Sequence, residues 1–197
     1  MRSVLKMFFA ATLAALAVPA FSQTAPTSQT IQDRKENQQD RIANGVADGQ
    51  LTAHETKTLE KKESNLNQEE RDMRKLDNGH LTAADKATLN QQQNQLSKRI
   101  YNDKHNGRVQ NTAPKSEVGK RQENQQDRIA QGVKSGQLTP RETAHLENRE
   151  AAVNHEIRAD RRANGGKLTA QEKAKINRQE NRNSRAIYRD KHNGRHQ

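Results

Sequence analysis

The chain has 197 residues, no cysteine, no tryptophan and a formal net charge of +11, with 30% charged and only 3% aromatic residues. The lack of cysteine excludes disulfides, a thiol nucleophile, cysteine-held zinc and lipid attachment through a thiol. So little apolar material leaves only a thin core, and the composition borders on that of chains that do not fold alone.

Arg2 and Lys6 open the chain, residues 7–18 are apolar, and Ala20 or Ser22 suits a cleavage position, so residues 1–22 read as a secretory signal peptide. The apolar run is shorter than the roughly 20 residues a bilayer span needs. The expectation is an exported protein, periplasmic or secreted. Residues 23–33, rich in Thr, Gln and Ser, read as a flexible leader.

From there the chain is a duplication. Residues 34–107 align without a gap to 121–194 at an offset of 87, with 41 of 74 positions identical. Two tandem units are therefore expected, at 34–108 and 120–197, with a linker at 109–119 around Asn111-Thr112-Ala113-Pro114.

Within each unit the pattern Gly-x-Leu-Thr-x-x-(Glu/Asp) recurs after 30 residues, from Leu51 to Leu81 and from Leu138 to Leu168. Threonine followed three residues later by a carboxylate is a capping box, in which each side chain takes up a backbone amide that the first helical turn leaves bare. Thr52 with Glu55, Thr82 with Asp85, Thr139 with Glu142, and Thr169 with Glu172 are thus expected helix starts. Pro140 fits the first helical position, and Gly49, Gly79, Gly136 and Gly166 suit the left-handed end of the preceding helix.

Leu59, Leu66 and Met73, then Leu89, Leu96 and Ile100, give a narrow apolar seam. Leu76, Leu81 and Tyr101 are expected to join that core. The predicted fold is all-α, each unit a long antiparallel helical hairpin or three-helix bundle. A shorter helix ends near residues 44–48 and two longer ones of about 24 residues, roughly 36 Å, follow it.

In the last helix Arg178, Arg182, Arg185 and Arg189 fall on one narrow face, with Ile176 and Ile187 nearly opposite. A basic stripe backed by an apolar one suits an anionic surface, such as anionic lipid or a polyanion. The first unit has Gln91, Gln95, Lys98 and Asn102 there, so the stripe belongs to the second unit alone. Nucleic acid is the weaker partner, because stacking aromatics are absent and the chain is read as exported.

The turn Asp48-Gly49-Gln50-Leu51-Thr52-Ala53-His54-Glu55 resembles the second half of an EF-hand loop, which implies a calcium-responsive protein. The acidic side chains that such a loop has early are missing or replaced by cations, however, since Asn44 and Val46, Arg74 and Leu76, Gln131 and Val133, and Arg161 and Ala163 stand in their places. The Leu-Thr-x-x-Glu turns also resemble the Leu-Thr-x-x-Gln motifs of small periplasmic chaperones, which implies a basic helical body that holds unfolded client proteins. Together with the duplication, the turns resemble a bacterial family of exported helical-repeat proteins of unknown function.

Glu142-x-x-His145 has a di-iron ligand spacing but no second copy, and His192 and His196 straddle Gly194. The repeated ending Ile-Tyr-x-Asp-Lys-His-Asn-Gly-Arg, at 100–108 and 187–195, reads either as a helix terminus or as a ligand site at its Tyr, Asp and His. No nucleophile elbow, phosphate loop or His-Glu-x-x-His is present. A non-enzymatic binding protein of the bacterial envelope, without cofactor or metal, is the expectation, with a structural spacer as a further alternative. A second copy could complete so narrow a seam.

Overall fold

The computed structural model describes residues 30–110 and 115–196, so the signal peptide and most of the leader lie outside the described residues. Six α-helices make up the described chain: α1 (Ile31–Ala47), α2 (Ala53–Leu76), α3 (Ala83–Lys104), α4 (Glu117–Lys134), α5 (Pro140–Ala163) and α6 (Ala170–Lys191). The all-α class expected from the sequence is observed.

Each long helix begins at its threonine. Thr52, Thr82, Thr139 and Thr169 are N-caps with reciprocal bonds to Glu55, Asp85, Glu142 and Glu172. The four turn glycines all take positive φ, from 66° at Gly49 to 90° at Gly79 and Gly166. A fifth capping box, Thr30 with Asp33, starts α1 within residues 23–33, and Ser116 caps α4 within 109–119. The Gln110 amide donates to the Gly49 carbonyl at 2.8 Å and the Gln110 side chain accepts from the Ala53 amide at 3.2 Å, so the chain leaving α3 is fastened to the α1–α2 turn.

Polar ties supplement the thin core. Gln38 donates to the Gln93 carbonyl at 2.7 Å, and Arg41 clasps Ser97 through its hydroxyl at 2.5 Å and its carbonyl at 3.1 Å. The second unit repeats these as Gln125 to Glu180 and Arg128 to Ser184. Gly45 and Gly132 let the next turn fold close: a Cβ there would lie 2.8 Å from Leu51 Cδ1 and 2.6 Å from Leu138 Cδ1.

Leu51, Leu59, Leu66, Leu89, Leu96 and Ile100 are buried as expected, while Met73 and Leu81 are only partly covered. Two expected core residues are exposed. Leu76 is 84% exposed because it is the last residue of α2, and Tyr101 is 58% exposed because Ile100 takes the inward position and the tyrosine ring lies on His105 instead.

The most extensive helix contacts run between the repeats, α2 against α5 and α1 against α4. Ala43 of α1 joins the apolar cluster of the second repeat and Ala130 of α4 joins that of the first, so small side chains are exchanged where α1 and α4 meet. Along α2 and α5 the buried set includes Glu60, Glu63, Glu147 and Glu150, none more than 1% exposed. That acidic seam was not expected from the sequence.

Candidate functional site

The capping carboxylates are held by more than their own turns. Glu55 accepts from the Thr52 amide at 3.0 Å and hydroxyl at 2.7 Å, then from the Asn106 amide at 2.8 Å, with Arg108 at 3.7 Å. Glu142 has the same set in Thr139, Asn193 at 2.7 Å and Arg195 at 3.6 Å. The repeated Asn-Gly-Arg ending therefore locks onto the start of the middle helix of its own unit. Burial raises the carboxyl pKa of both, but the threonine, asparagine and arginine partners outweigh it and hold each below the usual range. Asp85 and Glu172, both half-buried, are likewise lowered, by bonds to Thr82 and Thr169.

The rest of the repeated ending is also structural. His105 and His192 stack on Tyr101 and Tyr188 with centroids 4.2 Å apart and donate from Nδ1 to the same tyrosines' carbonyls. Asp103 is buried and bonded to Arg99 at 2.7 Å. Tyr and His thus stack on each other while Asp turns to an arginine, so the three do not converge. His145 is exposed while Glu142 is spent on its cap, and among the described residues no group of three or more His, Asp or Glu side chains is placed to hold a metal ion.

The arginine stripe lies exposed along α6, as its spacing requires. Arg182, Arg185 and Arg189 line an open groove of about 720 Å³ together with Arg128, Arg149, Ser184, Ala186 and Tyr188. Arg178 lies a turn earlier on the same face and does not line it. Arg128 is fixed by Ser184, Arg149 bonds Asn183 at 2.9 Å, and Arg189 pairs with Asp190 at 3.0 Å. Among the described residues Arg178, Arg182 and Arg185 make no hydrogen bond or ion pair, so their guanidinium donors face solvent.

Sequence reasoning missed Arg128 and Arg149, and named Tyr188 only within the repeated ending. Tyr188 stands one position before Arg189 and is 62% exposed. Arg128 and Arg149 come from other helices, and only the packing of α4 and α5 beside α6 brings them in. In the first repeat Lys62, Gln95, Lys98 and Asn102 replace Arg149, Arg182, Arg185 and Arg189, so the groove has no equally charged twin.

Among the described residues no helix is long and apolar enough to cross a membrane. Comparison with known protein families, with curated proteins and with solved structures gave no match.

Proposed function

We propose that this exported protein is a non-enzymatic binding protein of the bacterial envelope that engages phosphate-bearing anionic surfaces through the arginine groove of α6. One observation carries the reading: five arginines from three helices converge beside Tyr188, and two of them, Arg182 and Arg185, have no partner of their own among the described residues. Guanidinium groups present planar forks of donors that match phosphate oxygens, and Arg128 and Arg149 are already immobilised by protein contacts.

A client-holding chaperone finds less support. Among the described residues the large exposed apolar side chains are Leu76, Tyr101, Val109 and Tyr188, which offer little to an unfolded chain. The degenerate calcium loop is also disfavoured, because each capping carboxylate is already engaged.

Each cation near an anionic surface contributes about 1 kcal/mol, so four contribute about 4 kcal/mol, roughly a thousandfold in affinity. Co-sedimentation with phosphatidylglycerol vesicles should therefore collapse when Arg178, Arg182, Arg185 and Arg189 are all changed to Gln, while phosphatidylcholine vesicles bind neither protein. Competition by polyphosphate distinguishes recognition of phosphate itself from a need for the lipid surface. Unchanged binding of the Gln variant would refute the assignment.

A further inference from the structure

The seam between the repeats holds more carboxylate than it can keep charged. Glu60 on α2 faces Glu147 on α5, with Glu63 and Glu150 buried further along the same two helices and Lys57 bonded to Asn148 at 2.6 Å on the rim. Among the described residues no ion pair reaches any of the four.

Their surroundings explain why. Glu60 has Gln39 of α1 at 3.2 Å, with Glu63 on its own helix and Glu147 of α5 as like charges. The cation facing Glu63 is Lys35 of α1, which is committed to Glu70. Glu147 has only the Gln126 amide, and Glu150 meets Asn183 and the Glu180 carboxylate of α6, while Arg149 on its own helix bonds Asn183. Lys35, Glu36, Asp40, Glu70, Arg71, Arg74 and Lys134 line the open groove that reaches Glu63.

Every buried side-chain nitrogen or oxygen left without a hydrogen-bond partner among the described residues is an oxygen, including both of Glu63 and one each of Glu60, Glu147 and Glu150. The seam has acceptors and lacks donors. A proton on a glutamate turns one acceptor into a donor and relieves two oxygens at once. We propose that the interface between the repeats is a proton-gated clamp, in which α2 and α5 stay closed while the facing glutamates hold protons and part as those protons leave.

Burial pushes Glu63 up to about 7 and Glu147 up to about 8 from 4.5, and raises Glu60 and Glu150 well above that value. Closed-state values above the open-state value mean that the closed form binds more protons. Closure is thus unopposed below 4.5 and weakens as pH rises through the closed-state values.

Small-angle scattering and far-ultraviolet circular dichroism of the full chain, from about pH 5 to about pH 9, test this, because the open-to-closed ratio should rise about tenfold per pH unit for each proton released. The expected result is a larger radius of gyration at alkaline pH with helicity retained, and a compact chain throughout when Glu60, Glu63, Glu147 and Glu150 are all Gln. A constant radius in the parent, expansion that tracks loss of helix, or a Gln variant that opens like the parent would overturn the proposal. Spin labels at Lys57→Cys and Asn148→Cys read the same separation with the glutamates intact. Dipolar coupling should be strong at acid pH and lost at alkaline pH, and persistent coupling would overturn the clamp even if the Gln variant fails to fold.

Discussion

Glu147→Gln should stabilise the protein at neutral pH and leave it unchanged in acid. The side chain is fully buried, and burial raises its carboxyl to about 8 against the opposing Gln126 bond. Unfolding returns the group to its ordinary 4.5, so the folded state must keep a proton that the unfolded chain has released. At pH 7 the gap is about 2.5 pH units, and at 1.36 kcal/mol per unit the native state bears a cost of about 3 kcal/mol. Below 4.5 both states are protonated and the cost vanishes. Glutamine keeps the shape and cannot ionise. Urea unfolding at about pH 4 and about pH 7 should show a gain near 3 kcal/mol at the higher pH only. An equal effect at both values, or a loss at neutral pH, would refute the idea that this carboxyl is buried as the neutral acid.

Three further outcomes follow from the geometry. Gly45→Ala or Gly132→Ala should cost about 1 to 3 kcal/mol by chemical denaturation, because the new methyl group would fall inside contact distance of Leu51 or Leu138. Thr139→Ala removes the cap of α5 and should cost about 1 kcal/mol in the same assay. Glu55 and Glu142 have lowered folded-state values, so their contribution is present above 4.5 and lost as pH falls through those values; Glu55→Gln with Glu142→Gln should flatten that acid limb in thermal melts across pH.

The helices were legible because their signals are local. Threonine and carboxylate three residues apart, with glycine three before, specify a helix start without reference to the rest of the chain, and Thr52, Thr82, Thr139 and Thr169 all serve that way. Thr30 and Asp33 carried the same signal but lay in a stretch whose composition suggested a leader. The acidic seam was illegible for a different reason. Glu60 and Glu63 follow Leu59 as charged residues, and the packing of both α1 and α5 on α2 removes them from water. Their recurrence as Glu147 and Glu150, at positions where much of the exposed sequence between the repeats has changed, was the one available hint. The groove divides in the same way, since the stripe on α6 follows from helical periodicity whereas Arg128 and Arg149 depend on which helices lie alongside.

The pseudo-symmetry of the chain offers the most direct test of the proposed function. Gln91, Gln95, Lys98 and Asn102 occupy exposed positions on α3 that correspond to the four arginines of α6. Placing arginine at those four positions, in a chain whose Arg178, Arg182, Arg185 and Arg189 are Gln, should restore binding to phosphatidylglycerol vesicles. Binding that stays lost after the transplant, or that never fell when the native arginines were removed, would contradict the account.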